Sequence, residues 1–189
     1  MNTKDSAPTS RNPRLKPLTE NILLVGFMGT GKTSVAEYLS RSLSLDAVDT
    51  DQMIVSRTGE SIPGLFRSHG EAYFRDLETE TLRSLIGRKH LIVSCGGGIT
   101  LRAENVDLMR KIGVTVWLTA TPQTIYERVR TSADRPLLNG RMNVPYIAEL
   151  LAERLSRYER ASQVEVPTDG LAVPEVCALL TERVSSYTG

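Results

Sequence analysis

Residues Gly26-Phe27-Met28-Gly29-Thr30-Gly31-Lys32-Thr33-Ser34 fit the spacing G-x-x-x-x-G-K-[ST]. Each residue type in that pattern has a job on a polyphosphate. Gly26, Gly29 and Gly31 let the backbone curl so that successive N–H groups face phosphate oxygens. A helix that starts at Lys32 adds the partial positive charge of its N-terminus. The Lys32 ammonium reaches the β- and γ-phosphates, and the Thr33 hydroxyl suits Mg²⁺. A glycine-rich turn that only joins strand to helix would not need Lys-Thr at its end. The chemistry implied is binding of ATP and transfer of its terminal phosphate.

Further along, charged residues are spaced so as to handle an acceptor. Asp49-Thr50-Asp51 sets two carboxylates two residues apart, so one can serve a metal and the other an acceptor hydroxyl. An aspartate that merely caps the next helix would look the same. Glu71-Ala-Tyr-Phe74-Arg75-Asp-Leu-Glu78 puts an arginine beside an aromatic ring, and a surface ion pair is the plainer reading. Gly96-Gly97-Gly98 ends an apolar run, where a backbone must pass close to something. Asp134-Arg135-Pro136-Leu137-Leu138 lies in a polar stretch over 131–145, where a mobile arginine would close over phosphates. Arg154 and Tyr158 are four apart on a helical pattern and share a face.

These residues need elements to hold them. Short apolar runs predict strands at 21–25, 45–48, 91–94, 114–119 and 163–167. Helical spacing predicts helices at 32–43, 74–86, 101–112, from Thr121-Pro122 onward, at 146–161 and at 173–185. The alternation predicts an α/β fold with a parallel sheet covered by helices on both faces. Residues 1–20 are rich in Pro, Ser, Thr, Lys and Arg and read as a disordered tail, leaving 21–189 as one domain.

Composition narrows the function classes. The 189 residues are 40% hydrophobic and 24% charged, with a net charge of +1, so nothing points to nucleic acid or a membrane surface. No apolar run approaches the roughly 20 residues of a membrane span. The two cysteines, Cys95 and Cys177, are too few for a disulfide scaffold and predict a reducing, cytoplasmic setting. His69 and His90 lack ligand spacing with either cysteine, so no zinc site is expected. The guanine-reading Asn-Lys-x-Asp of GTPase switches is absent, as is their Asp-x-x-Gly.

Taken in order, the phosphate loop, Asp-x-Asp, Phe-Arg-x-x-Glu, Gly-Gly-Gly, Arg-Pro-Leu-Leu and Arg-x-x-x-Tyr resemble the shikimate kinase family from about residue 21 onward. The resemblance implies a three-layer α/β/α P-loop fold like that of nucleoside monophosphate kinases. It implies a five-stranded parallel sheet, a substrate-binding lobe at about 51–80 and a lid at about 131–145. It implies transfer of the γ-phosphate of ATP, with Mg²⁺, to the 3-hydroxyl of shikimate by a monomer. Residues Gly29, Thr30, Gly31, Lys32, Thr33 and Ser34 would bind ATP, with Arg128 against the adenine ring and the lid's Arg135 on the phosphates. Thr33 and Asp49 would attend the metal. Asp51, Arg75, Gly97 and Arg154 would bind shikimate. Asp51 would orient or deprotonate the attacking hydroxyl, and the two arginines would grip the carboxylate. Lys32, Asp51 and Arg135 would be catalytic. One departure stands out: Cys95 precedes the triple glycine where the family more often has a small hydroxyl residue. A kinase for another polyol acid, such as gluconate, is the alternative on the same scaffold.

Overall fold

A computed structural model describes residues 13–130 and 143–189. Five strands form one parallel sheet: β1 (Ile22–Val25), β2 (Asp46–Asp49), β3 (Leu91–Ser94), β4 (Val114–Thr119) and β5 (Val164–Pro167), in the order β2-β3-β1-β4-β5. β1 and β3 are buried throughout, as central parallel strands must be. β2 is one residue out of the predicted register. It ends on Asp49, which therefore stands at the carboxyl edge of the sheet, level with Ser94.

The helices are α1 (Lys32–Leu43), α2 (Thr50–Thr58), α3 (Ile62–Leu85), α4 (Ala103–Ile112), α5 (Pro122–Val129), α6 (Val144–Ala161) and α7 (Val173–Thr188). One side of the sheet packs on α1 and α7 through Val35, Leu39, Val176 and Leu180. The other packs on α3, α4 and α6 through Leu82, Leu85, Met109 and Tyr158. A separate small cluster of Ile54, Leu65, Phe74 and Leu77 joins α2 to α3, within the stretch expected to form the substrate lobe.

Helix α2 has no predicted range in the sequence reading, and three further stretches differ clearly from it. Helix α3 begins at Ile62, not near residue 74. Ser61 caps it, Pro63 occupies its first turn, and Gly70 at φ 81° breaks its line, so no continuous apolar stripe runs through 62–73. Helix α6 begins at Val144, capped by Asn143, inside the predicted 131–145 loop. The expected disordered tail is corrected from residue 13 onward. Leu15 and Leu18 pack against the α1–α7 core, and the Lys16 N–H donates to Thr181 Oγ1 at 3.2 Å. Arg135 and most of the expected lid lie outside the described residues.

Candidate active site

The phosphate loop is built on glycine conformations. Gly26, Gly29 and Gly31 sit at φ 144°, 78° and 93°, a region that side-chain-bearing residues rarely adopt. Gly31 is the N-cap of α1 and offers no side chain, so no side chain caps the first N–H groups of that helix. Such a helix start is ready for an anion. Thr33 and Ser34 are exposed on its first turn. The Lys32 ammonium folds over the loop and donates to the carbonyls of Gly26 (2.8 Å) and Phe27 (3.1 Å).

Asp49 makes the capping contact that the sequence offered as the alternative to ligation. It caps α2, with Oδ1 accepting the N–H groups of Asp51 (3.0 Å) and Gln52 (3.2 Å). Both bonds use the same oxygen. Asp51 then falls in the first turn of α2, and its Oδ1 is buried with no hydrogen-bond partner among the described residues. Burial and the neighbouring Asp49 charge push its carboxyl from the ordinary 3.8 up to about 6, against the pull of Lys32 and Arg75.

The triple glycine is where the site closes. A Cβ on Gly96 would sit 3.1 Å from Asp51 Cγ, and one on Gly98 would sit 2.8 Å from Arg75 Cζ. A Cβ on Gly97 would lie 3.5 Å from an Arg154 nitrogen. Three consecutive glycines thus each face a different candidate side chain, from α2, α3 and α6. A Cβ at the first or last position would push the Asp51 carboxylate or the Arg75 guanidinium aside.

Arg75 is held by its own neighbours, and Arg154 by an aromatic ring. Arg75 Nη1 donates to Glu78 at 2.7 Å, while Nε and Nη2 donate to Glu71 at 3.1 and 3.0 Å. Its guanidinium lies 5.4 Å from the Phe74 ring centre and 5.9 Å from that of Phe66. Glu78 is 1% exposed with one oxygen unpartnered, and burial raises its pKa while Arg75 lowers it. Glu78 closes the Phe-Arg-x-x-Glu pattern, and its i, i+3 spacing to Arg75 is the sequence signal for this pairing. Arg154 rests over Phe27 at 5.4 Å, so the phosphate loop supports the acceptor side of the site as well.

Arg128 joins two segments of the site. It donates to the Gly29 carbonyl (3.1 Å) and to Thr168 Oγ1 (2.9 Å) and O (2.7 Å). It ties the phosphate loop to the segment after β5. Cys95 is buried, with its thiol pKa pushed up by desolvation, and is inert. Cys177 is likewise buried and packs in the α1–α7 core. A cavity of about 350 Å³ between α6 and β4 touches Phe27 and Thr30, but none of Lys32, Asp49, Asp51 or Arg75 lines it. It adjoins the site and is not part of it.

A parallel P-loop sheet, a lysine-bearing phosphate cradle, and a pocket with one carboxylate and two arginines at the carboxyl edge define a small-molecule kinase. Comparison with known proteins makes that class specific. The family model for shikimate kinase matches residues 28–185. The chain is 42% identical over 176 residues to a shikimate kinase of Geobacter metallireducens, covering 93% of each. It is 40% identical over 170 residues to one from Thermodesulfovibrio yellowstonii, covering 88% of this chain and 98% of the relative. Among solved structures it resembles the shikimate kinase of Acinetobacter baumannii in complex with shikimate, at TM-score 0.82 and 31% identity, covering 89% and 94%. A gluconokinase of Sinorhizobium meliloti shares the fold alone, at TM-score 0.56 and 15% identity. The chain belongs to the shikimate kinase family.

Proposed function

We propose that this chain transfers the γ-phosphate of ATP to the 3-hydroxyl of shikimate, giving shikimate 3-phosphate and ADP on the route to chorismate. The observation that carries this reading is the glycine strap. Gly96, Gly97 and Gly98 abut Asp51, Arg154 and Arg75 in turn, so one carboxylate and two cations surround one small space. Shikimate is a carboxylate with several hydroxyls, and that is the complementary pattern. Arg75 and Arg154 bracket its carboxylate with charge-assisted bonds. Asp51 accepts from its hydroxyls and orients the one that attacks. With its pKa at about 6, Asp51 is ionised at neutral pH yet close enough to take a proton.

On the nucleotide side, Gly29, Thr30, Gly31, Thr33 and Ser34 cradle the phosphates. Lys32 leaves the loop carbonyls to follow charge on the transferring group. Arg128 holds the phosphate loop and the Thr168 segment together around the nucleotide, and Arg135 of the lid neutralises phosphate charge.

The donor set suits Mg²⁺, with Thr33 and the Asp49 carboxylate as its protein ligands, the latter directly or through water. Both are hard oxygens, and Mg²⁺ in such sites takes most of its shell from phosphates and water. Held there, the ion would supply positive charge that offsets the phosphates. The buried free cysteines favour a reducing, cytoplasmic setting.

Coupled measurement of ADP release tests the reading. ADP should form only when shikimate is added, mole for mole with shikimate 3-phosphate. Turnover that ignores shikimate would reject it.

A further inference from the structure

The strap that carries the site is made of the residue type least able to hold a shape. A Cβ on Gly96 or Gly98 would displace the Asp51 carboxylate or the Arg75 guanidinium, so both positions stay glycine for the site to keep its shape. Stiffness therefore has to come from outside the strap. Its ends are tied to backbone, and the Ile99 N–H donates to the Gly96 carbonyl across it at 3.1 Å. The Cys95 N–H donates to the Leu24 carbonyl of β1 at 3.0 Å, and the Leu101 N–H donates to the Gly98 carbonyl at 3.0 Å. Between those ties, two side chains from opposite sides take hold. The Thr50 hydroxyl, fully buried at the start of α2, accepts the Gly96 N–H at 2.9 Å. The Tyr158 hydroxyl, on α6, donates to the Gly97 carbonyl at 3.2 Å. Tyr158 is 1% exposed and its ring stacks on Trp117 at 5.9 Å, so the hydroxyl is carried by a fixed arm. The N–H groups of Gly97 and Gly98 donate to no backbone acceptor among the described residues.

We propose that Thr50 and Tyr158 are positioning residues that clamp the glycine strap from the α2 and α6 sides and so hold the Gly97 amide in place for the substrate carboxylate. Each comes from a motif with another assigned member. Thr50 separates Asp49 from Asp51, and Tyr158 follows Arg154 by one helical turn. Each motif therefore supplies both a side chain that meets the substrate and a hydroxyl that fixes the backbone beside it. The proposal rests on shikimate as the substrate; the clamp itself does not.

The test uses the full chain with Thr50→Val, Thr50→Ser and Tyr158→Phe. Steady-state constants are measured for both substrates, and backbone amide hydrogen exchange over 95–98 is measured without substrate. Thr50→Val and Tyr158→Phe should each raise the KM for shikimate about 2- to 12-fold, the size of one neutral hydrogen bond. The KM for ATP should stay within about twofold, and Thr50→Ser should return shikimate KM to near wild type because it restores the acceptor. Exchange should quicken at 95–98 in the first two variants and not over β1 or β4. An unchanged shikimate KM together with unchanged exchange overturns the proposal for that residue. A rise in ATP KM matching that for shikimate overturns it too, since a general loosening of the fold would do that. Tyr158→Phe removes one oxygen from a ring that stays packed, so it carries the test if Thr50→Val does not fold. If wild-type enzyme fails to use shikimate, the functional reading falls and the exchange result alone decides the clamp.

Discussion

Replacing Asp51 by Asn should make the protein more stable and less active, and the stability gain should depend on pH. The Asp51 carboxyl is lifted from 3.8 to about 6, first by burial and then by Asp49. A carboxyl with a raised native pKa binds its proton more tightly folded than unfolded. Ionising it therefore opposes folding. That cost is absent below the unfolded pKa, builds between 3.8 and about 6, and is complete above. At about 1.36 kcal/mol per pKa unit, the full cost is about 3 kcal/mol at neutral pH. It shrinks to about 1 kcal/mol near pH 4.5. Asn keeps the shape and one acceptor while removing the charge that faces Asp49. For a chain of this length, about 3 kcal/mol moves the melting temperature by roughly 6–12 °C. Thermal unfolding of wild type and Asp51→Asn at about pH 7.5 and about pH 4.5 measures the difference. The variant should melt higher at neutral pH and lose most of that advantage in acid. A variant that melts lower at neutral pH, or gains equally at both, would refute the electrostatic reasoning.

Other outcomes follow from the same geometry. Lys32→Met should fold normally and lose about 10²- to 10³-fold or more in kcat, because a preorganised cation is removed from developing phosphate charge; single-turnover phosphate transfer checks it. Arg75→Ala and Arg154→Ala should each raise the KM for shikimate about 10- to 150-fold with little change for ATP, as loss of a charge-assisted bond predicts. Gly98→Ala should act like Arg75→Ala on shikimate binding, since the new methyl meets the Arg75 guanidinium; calorimetric titration with shikimate reads this, with ATP as the control. The pH profile of kcat/KM for shikimate should fall about tenfold per unit below about pH 6 in wild type, as Asp51 takes up its proton.

Much of this was legible in the residues. The phosphate loop was, because its glycines, lysine and threonine have one joint purpose and flanking elements that fit. The strands were, because central parallel strands are short apolar runs and read as such. Asp49 showed why single motifs mislead: capping and ligation need the same carboxylate in the same place, and the structure has the capping contact on one oxygen only. The first half of α3 was hidden by Pro63, Gly64 and Gly70, which interrupt the periodicity that marks a helix. Residues 13–20 read as tail from composition, yet two leucines there are enough to dock the chain on the core. Nothing local in the sequence said that Gly96, Gly97 and Gly98 would each meet a different side chain. That arrangement depends on α2, α3 and α6 converging on one strap, which only the fold supplies.

The central claim is that the strap gathers Asp51, Arg75 and Arg154 around one hydroxylated carboxylate. The most direct test is ADP release by the wild-type enzyme with three acceptors in parallel: shikimate, its methyl ester and gluconate. The ester keeps every hydroxyl and lacks only the charge that the two arginines grip. Shikimate should support turnover with one ADP per phosphorylated product. The ester should lose at least about 10²-fold in kcat/KM, on the scale of two charge-assisted bonds, and gluconate should give background only. Equal turnover of shikimate and its ester, or faster turnover of gluconate, would contradict the account.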